Sequence, residues 1–477
     1  MRQRQTGWRS ARFTAPALPP VPQPAAIPQP AQAPRATQSP RPKPARPDAP
    51  GGIAELLKNG NWSLSFVGVL CYVFAAVTYA LPIVLPSIVV AVLGLAFERI
   101  RLTIPAFLIV FALFVAWAAF GMSSSLRAET TSDQVIVLAK VLLIVFVLIN
   151  VTRDAWRVRM FSIFFLACFA AYPARGTLFN YFISGYTMFG RALWNFIYGN
   201  SNDLAALTFF PMSLSIAAFL TEPPGWIKRA ALAGLAVLPL IVLLTQSRGA
   251  MIAMVVSGIL FYVVHAKGKR IKSLAWGLAV AIVVTPFVPQ SAWDRFGGLR
   301  WLGSTTTVQY ADPEGSAEAR YNIWRIARVI IAENPVSGIG LGNYPLANAI
   351  TAPRVGVPDA SLGFRDTHST YLNVAAETGI PGLVLFMTMI GLVAIPAELT
   401  RRRAKGTPRA AQLLALELGL CAYMLAGIFG SFAKLSFLYI QLATIWLVTD
   451  LTKREMASGG LAAHRSNPRP PSVGRRG

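Results

Sequence analysis

Twelve apolar runs, each long enough to cross a membrane as a helix, constrain this sequence more than any other feature. Such a helix needs roughly 17 to 20 apolar residues to span about 30 Å of hydrocarbon. The chain of 477 residues is only 13% charged, too little for the surface of a soluble fold. We therefore predict an all-α polytopic membrane protein. The runs lie near 63–80, 81–98, 103–122, 134–151, 157–173, 203–220, 228–245, 249–265, 272–288, 379–397, 412–430 and 434–451.

The cations between these runs indicate the direction in which the chain crosses the membrane. Short loops rich in Lys and Arg resist translocation and stay in the cytoplasm. Five alternate connections hold sixteen of these residues, whereas the intervening short connections hold only five, namely Arg127, Arg175, Arg191, Arg248 and Lys434. We therefore predict that both termini are cytoplasmic and that the sparsely charged connections face the outer side.

The net charge of +24 is large enough to suggest a nucleic-acid partner. Much of it lies in the tails and the cation-rich connections, so we interpret it as topology and contact with anionic membrane lipids, and we expect no nucleic acid. Cys71, Cys168 and Cys421 fall within apolar runs and are expected not to pair. Without a cysteine cluster, DxD, HExxH, GxSxG or P-loop motif, the sequence predicts no metal site and no cofactor.

The two ends of the chain have the composition of disordered tails. Residues 1–50 contain thirteen prolines, eight Lys or Arg and one Asp, without apolar periodicity. We predict disordered cytoplasmic tails over 1–55 and 453–477. The stretch PRPKPARP at 40–47 could dock to an SH3-like groove of a cytoplasmic partner, although a solvated basic linker is the simpler interpretation.

One long segment, 289–378, separates nine predicted membrane helices over 56–288 from three more over 379–452. About ninety residues are too many for a connector, and segments of that length usually carry function. The alternation of charge puts this segment on the outer side. We therefore predict about twelve transmembrane helices and one large, partly helical outer loop.

The middle of this loop has a helical pattern followed by a glycine-rich turn. The stretch GSAEARYNIWRIARVIIAENP (315–335) places apolar residues at helical spacing, which Ser316 can cap and Pro335 ends. Those apolar positions are 323, 326, 327, 330 and 331. In the turn VSGIGLGNYP that follows, Gly338 and Gly340 could present backbone N–H groups to a phosphate, although a need for positive φ angles is the simpler interpretation.

A histidine at the end of the loop is the first candidate for chemistry. His368 lies in DTHSTYLNVAAETGIPGL (366–383), whereas His265 borders a basic loop and His464 lies in the C-terminal tail. An imidazole titrates near pH 6.5 and is the natural proton acceptor at neutral pH. A polar surface or capping role is the alternative for a single loop histidine.

Two arginines are candidates for binding an anion. Arg248 lies in LLTQSRGAMIAM (243–254), in a tight corner between two apolar runs, and Arg320 begins the loop helix. A guanidinium in such a place suits charge-assisted, often bidentate hydrogen bonds to a phosphate. The alternatives are that Arg248 extends to the lipid headgroups and that Arg320, with Arg325 and Arg328, contacts anionic lipid.

These residues occur in an order that resembles a known family. The segments TQSRGA (245–250), Arg320 with Trp324, NPVSGIGLGNYP (334–345) and THSTYLNVAAETGIPGL (367–383) are similar to the signature series of the O-antigen ligase family. Bacterial O-antigen and exopolysaccharide polymerases share its architecture. YGNSNDLAAL (198–207) resembles the family's Asn-containing start of an earlier membrane helix.

The resemblance implies a GT-C-like glycosyltransferase of the bacterial inner membrane. Such an enzyme takes a glycan from undecaprenyl diphosphate and passes it, at the periplasmic face, to an acceptor hydroxyl on the lipid A core or a growing polysaccharide, without metal and with inversion. Arg248 and Arg320 would hold the diphosphate, and His368 would act as the base. The family often has Asn after this histidine; here Ser369 follows it, which bears on the orientation of the ring.

Other residues of the same signatures could support the site, and other functions are compatible with the same architecture. The possible supporting residues are Ser247, Tyr371, Asn373, Glu377, Gly338 and Gly340. A polymerase would use a second lipid-linked repeat as acceptor, and a related oligosaccharyltransferase would use a protein hydroxyl. A lipid-linked glycan transporter is a further alternative, but only Lys140 and Glu417 lie clearly within the apolar runs and no repeated halves are evident.

Overall fold

The computed structural model describes residues 60–98, 101–265 and 316–459, together with isolated positions between 275 and 293. Within them the chain is helical and forms no sheet beyond one isolated bridge between Met188 and Arg191. The helices are α1 (Leu64–Thr78), α2 (Val84–Phe97), α3 (Ala106–Phe120), α4 (Ala128–Val151), α5 (Ala155–Ser184), α6 (Ser201–Thr221), α7 (Trp226–Leu244), α8 (Arg248–His265), α9 (Ser316–Glu333), α10 (Tyr344–Val355), α11 (Thr370–Arg403), α12 (Pro408–Ala426) and α13 (Ser436–Ala457).

The apolar helices support the predicted polytopic membrane fold. Seven of them, α3 to α7, α11 and α12, are long and apolar enough to cross a membrane, while α1, α2 and α8 are apolar but shorter. Eleven of the twelve predicted runs coincide with a helix, α13 included. The run near 272–288 lies largely outside the described residues, so the total of twelve spans stays a prediction. The described helices establish an all-α polytopic membrane protein.

Several sequence predictions concern residues outside this description. The tail over 1–55, the loop residues 289–315 and the capping role of Ser316 belong to that group. Most of the predicted C-terminal tail does as well, although α13 extends to Ala457, past its predicted start at 453. The three cysteines lie within the described helices and are free thiols, as predicted.

The chain turns alternately at two ends of the bundle, which we call the loop end and the far end. At the loop end, Ala192 N–H donates to the Leu244 carbonyl (2.9 Å) and Thr370 N–H donates to the Gly427 carbonyl (2.7 Å). The loop end comprises residues 121–127, 185–200, 245–247 and 427–435 with α9 and α10; the far end comprises 101–105, 152–154, 222–225 and 404–407. The cation-rich connections that the structure describes therefore lie at the far end, while the predicted connection at 267–272 lies outside the described residues.

The bundle core forms around α6, α11 and α12. Helix α12 packs against α6 and α8, while α11 packs against α3, α12 and α13. Gly419 on α12 allows the closest of these approaches, because a Cβ atom there would overlap the side chain of Ser213 on α6. Small residues let membrane helices approach at backbone distance and gain van der Waals contacts. The position of α6 in the core brings its first turn, at Ser201, to the loop end.

A second, smaller core forms beneath the loop helix and confirms the helical prediction for 315–335. Ile323, Ile326, Ala327 and Ile330 are buried together on one face of α9, and Tyr344 of α10 packs with them. Burial of this face anchors the loop helix on the bundle. The opposite face of α9, which includes Arg328, is exposed.

The glycine turn after α9 is built into a break in α11. Gly379 interrupts the helix with φ 70° and ψ 179°, which frees backbone carbonyls that would otherwise accept bonds within the helix. Ile339 N–H and Gly340 N–H donate to the carbonyls of Ala376 and Glu377 (both 3.0 Å). The predicted outer boundary of the tenth span, at 379, falls on this break, while the helix itself begins earlier, at Thr370.

The N–H groups of Ile339 and Gly340 in the glycine turn are consequently used within the protein. Trp117 Nε1 donates to the Thr378 carbonyl (2.8 Å), and Ile380 N–H donates to the Pro335 carbonyl (2.8 Å), so the break is closed by partners from three directions. A phosphate could not use Gly340 N–H without displacing its bond to Glu377. The structure therefore favours the conformational interpretation of this turn: Gly338 and Gly340 have φ of 68° and 91°.

We expect Gly338→Ala to lower the free energy of unfolding by about 3 kcal/mol or more. A Cβ atom at this position would lie 2.5 Å from the backbone carbon of Glu377, which cannot move without disturbing the break in α11. Gly356→Ala is the matched control, since Gly356 has φ 63° and nothing within 4 Å of the added atom. It should cost only about 1 kcal/mol. Equal thermal stability of the two purified variants would contradict the role assigned to the turn.

Candidate functional site

The backbone around His368 is held from three sides. Trp324 Nε1 on α9 donates to the Thr367 carbonyl (3.0 Å), and the Thr367 hydroxyl lies 2.8 Å from the hydroxyl of Ser431. On the other side, the Thr370 hydroxyl donates to the Gly430 carbonyl (2.7 Å). His368 itself has φ 49°, a left-handed conformation that residues other than glycine and asparagine rarely adopt. The surrounding contacts therefore impose the position of the imidazole.

The surroundings of His368 favour its neutral form. Burial is the largest cause that lowers the pKa of the imidazole from its ordinary value of 6.5, and the positive charge of Arg320 lowers this pKa next. Asp366 opposes the shift, whereas Arg365 and Arg191 lower the pKa further. With its pKa below 6.5, the ring is mostly unprotonated at neutral pH and can accept a proton.

Arg320 reaches this site from the first turns of α9. It lies one helical turn before Trp324, whose indole binds the residue next to His368. The other two arginines of the helix are placed differently: Arg325 donates to the Asn322 side chain (3.4 Å), and Arg328 is exposed. Of the three, Arg320 is the one whose charge acts on His368.

Arg248 is the first residue of α8, at the corner between α7 and α8. The corner is shaped by Gln246, which has φ 52° and whose side chain donates to the Gly190 carbonyl (3.0 Å). A Cβ atom on Gly249 would lie 2.7 Å from the Phe429 side chain, so the start of α8 packs on the same 427–431 segment that anchors the backbone beside His368. Arg248 thus lies at the positive end of a helix dipole, where an anion is stabilised.

Arg191 is a site residue that the motif analysis did not single out. Its Nε donates to the Thr245 carbonyl (2.8 Å), and its Nη2 donates to the Asn202 side-chain oxygen (2.8 Å). It joins the α7–α8 corner to the start of α6, and its charge lowers the pKa of His368. In the sequence analysis Arg191 is only one of the outer cations. The signal that could have identified it as a site residue is its position seven residues before the YGNSNDLAAL segment.

Asp366 is the second residue that sequence reasoning missed. It lies two positions before His368 and is the one carboxylate whose charge raises the pKa of that ring. Asp203, in the first turn of α6, is close enough to Asp366 for an electrostatic interaction. Two acidic side chains therefore border the cluster of arginines. Asp203 and Asp366 are far apart in the sequence, so only the fold could bring them together.

The residues predicted as possible supports mostly maintain the fold. Tyr371 donates to the Met424 carbonyl (2.8 Å). Glu377, with a side chain that is 0% exposed, pairs with Lys434 (3.2 Å) and accepts a bond from the Tyr344 N–H (3.3 Å). Because such a buried carboxylate is costly without its partner, this pair fixes α11 against the α12–α13 connection.

Ser247 and Asn373 occupy buried positions beside these contacts. The Ser247 carbonyl accepts the Met251 N–H (2.9 Å) in the first turn of α8. Asn373 is 1% exposed, and neither its amide oxygen nor its amide nitrogen has a hydrogen-bond partner among the described residues. Both residues lie at the loop end, on the elements that carry Arg248 and His368.

The assembled site combines positive charge with a neutral base. Arg191, Arg248 and Arg320 reach the loop end from three separate segments, and the charges of Arg191 and Arg320 act on His368. Guanidinium groups bind phosphate oxygens through planar, paired hydrogen bonds. Within the ranges that the structure describes, no group of three or more His, Cys, Asp or Glu side chains is arranged to hold a metal ion. The described side chains are suited to binding an anion next to a proton acceptor.

This architecture defines a polytopic membrane protein with a cationic, histidine-containing site at one end of its bundle. Residues 232–387 match the family model described as O-antigen ligase. The match covers about a third of the chain and supports the resemblance to this family that the motifs indicate. The matched range contains Arg248, Arg320 and His368. The family supports a membrane glycosyltransferase of the ligase or polymerase type, and no curated protein matches the chain significantly.

Proposed function

We propose that this protein transfers a glycan from undecaprenyl diphosphate to an acceptor hydroxyl at the periplasmic face of a bacterial inner membrane. The observation that carries the proposal is the position of Arg320 close enough to His368 for its charge to lower the pKa of the ring. These residues come from segments about fifty positions apart and belong to the matched family range. The lipid A core is the proposed acceptor, which makes the protein a ligase.

The arginines are proposed to bind the diphosphate of the donor. Breaking the bond between the anomeric carbon and the diphosphate oxygen leaves negative charge on the phosphate. Arg248 and Arg320 can neutralise this charge through paired N–H donors, and the positive end of the α8 dipole adds to their effect. Arg191 contributes a third positive charge at the same corner. Stabilisation of this kind requires no divalent ion.

His368 is proposed to remove the proton from the acceptor hydroxyl. As the acceptor oxygen forms its bond to the anomeric carbon, the proton moves to the imidazole and the diphosphate departs with the electron pair of the broken bond. A single displacement of this kind inverts the anomeric centre. The neighbouring arginines disfavour the protonated ring, which therefore releases its proton readily after transfer.

The orientation in the membrane is proposed from charge. The cation-rich connections among the described residues lie at the far end of the bundle, and cytoplasmic connections carry the excess of Lys and Arg. The loop end, with Arg248 and His368, would accordingly face the periplasm. Lipid-linked glycans destined for the cell surface are exposed on that side, as the family resemblance implies.

A polymerase is the second candidate, and it differs from a ligase only in the acceptor. Both need the same diphosphate site and the same base. A transporter is less well supported, because two carboxylates of the long helices α11 and α12 are paired with cations: Glu377 binds Lys434, and Glu417 binds Arg401 (2.9 Å). Such pairs stabilise a packed bundle and do not resemble an open proton or substrate path.

Glycan analysis of a strain that lacks this protein tests the proposal. If unmodified lipid A core accumulates while long carrier-linked chains persist, the protein is a ligase. If long chains vanish and single repeats remain on the carrier, it is a polymerase. Unchanged surface and carrier-linked glycans would overturn both assignments. Complementation with the wild-type chain provides the control for polar effects of the deletion.

The pH dependence of transfer should report the charges around His368. Asp366→Asn removes the charge that raises the pKa of the ring, so the ascending limb of the pH–rate profile should move to lower pH. Arg320→Gln removes a charge that lowers this pKa, so the limb should move to higher pH. Arg328→Gln, at an exposed position on the same helix, should leave it in place. Shifts of the same sign in both site variants would contradict the assignment.

A further inference from the structure

Two adjoining cavities lie away from the site described above. One, at the far end of the bundle, has a volume of about 540 Å³ and is bordered by the first turns of α5 and α12 and the last turns of α6 and α13. The other is an apolar groove of about 690 Å³ between α5, α6 and α7. Ile163, Leu166 and Ala218 line both, so the two cavities adjoin along α5 and α6. The length of α6 separates the far-end cavity from the loop end by about 30 Å.

Both signs of charge line the far-end cavity. Arg159 binds Glu222 through Nε and Nη2 (2.8 and 2.7 Å), and its Nη1 makes no hydrogen bond to a described residue. Arg409 binds Glu455 through its Nη2 (2.7 Å) and Gln412 through its Nη1 (2.9 Å). The four charged side chains sum to zero. A cavity of this kind complements a ligand that carries one positive and one negative group.

The groove has the opposite character. Its lining is almost entirely apolar, with aliphatic and aromatic side chains from α5 and α7. Along α7 it runs from Trp226 to Leu238, about 18 Å at the rise of a helix. That distance slightly exceeds half of the approximately 30 Å of bilayer hydrocarbon. Along α5 the lining continues from Ile163 past Arg175 to Ile183, so the groove can hold one hydrocarbon chain that starts at the far end and reaches at least the middle of the membrane.

We propose that the two cavities together bind one phospholipid whose headgroup carries a phosphate and a primary ammonium group, as in phosphatidylethanolamine. The phosphate accepts hydrogen bonds from the guanidinium groups, Arg159 Nη1 among them. The ammonium donates to the carboxylates of Glu222 and Glu455, and one acyl chain lies in the groove against Ala167 and Ala218. A cavity filled by water alone would account for the polar part but not for the apolar groove that opens from it.

The site would join α5 to α6 and α13, with which α5 makes few direct contacts. The headgroup contacts side chains of α5, α6, α12 and α13, so its binding ties the helices that carry the core to α5. This inference does not depend on the proposed glycosyl transfer, because the cavity shares no residue with the loop-end site. Its ligand is a component of the membrane in which the protein resides.

The test is the lipid bound to the protein in nanodiscs made from equal amounts of phosphatidylethanolamine and phosphatidylglycerol. After release of the protein, native mass spectrometry should show one phosphatidylethanolamine per wild-type chain. Glu455→Gln leaves the cavity with a net positive charge, so the preference should change about tenfold toward phosphatidylglycerol. Asp450→Asn is the matched control, because Asp450 pairs with Arg454 on the same helix and does not line the cavity. Its lipid preference should equal that of the wild type.

A second variant tests the groove. Ala167→Phe fills it without touching either ion pair, and it should reduce phosphatidylethanolamine retention at least about fivefold while the protein remains folded by thermal unfolding. Absence of bound lipid from the wild type, retention of a polyprenyl lipid in place of the phospholipid, or an unchanged preference in Glu455→Gln would each overturn the proposal.

Discussion

His368→Asn is expected to lower the rate of glycan transfer by about 10²–10⁴-fold, the usual contribution of a general base. Asparagine is chosen because His368 has φ 49°, and asparagine adopts the left-handed conformation more readily than alanine does. The variant should therefore keep the backbone that Trp324 and Ser431 hold in place, and lose only the proton acceptor. His368→Ala should be equally inactive and somewhat less stable.

The measurement is the transfer rate of purified protein with a lipid-linked donor, together with its thermal unfolding temperature. An unfolding temperature equal to that of the wild type would separate loss of chemistry from loss of structure. Near-normal turnover in His368→Asn would exclude the ring as the base. Added imidazole offers a further check, because a diffusible base should restore part of the rate to a variant that lacks only its proton acceptor.

Arg248→Lys should reduce turnover by about 10²–10³-fold, as the loss of a group that stabilises charge in the transition state commonly does. Lysine keeps the positive charge at the start of α8 but cannot reproduce the planar pair of N–H donors. The effect should therefore fall on kcat more than on donor affinity, since an ammonium group can still attract the ground-state diphosphate.

Arg127→Lys is the control for the Arg248 variant. Arg127 is an exposed cation at the same end of the bundle, just before α4, and it has no place in the proposed site. Its lysine variant should transfer glycan at the wild-type rate. Equal activity of the two lysine variants would contradict a diphosphate-binding role for Arg248, whereas loss in both would point to a general effect of charge at the loop end.

Much of the fold was predictable because it depends on local patterns. Apolar runs identify membrane helices since hydrocarbon cannot hydrogen-bond the backbone, and eleven of these runs coincide with helices. The spacing of Ile323, Ile326 and Ile330 likewise predicted the buried face of α9, because residues three and four apart share one side of a helix. The exact number of membrane spans was harder to predict, since short helices such as α1 and α8 cannot be identified as spans by their length alone.

The candidate site was predictable only where a motif identified it. Residue type and position indicate Arg248, Arg320 and His368 as candidates, the order of their segments resembles that of a known family, and the family match covers all three. Arg191 and Asp366 belong to no such segment. Their importance follows from distances in space, and Arg191 meets the α7–α8 corner across more than fifty residues of sequence.

The sequence by itself determined the membrane-embedded helical class, the amphipathic loop helix and the resemblance to the O-antigen ligase family, because these depend on composition, periodicity and residue order along the chain. Only the tertiary structure decided how the motif residues are used: the N–H groups of Ile339 and Gly340 donate to carbonyls at the break in α11, and Glu377 binds Lys434. The physical reason is that hydrogen bonds and charge interactions act over a few ångströms in space, and the partners in these contacts are brought together only when the bundle packs.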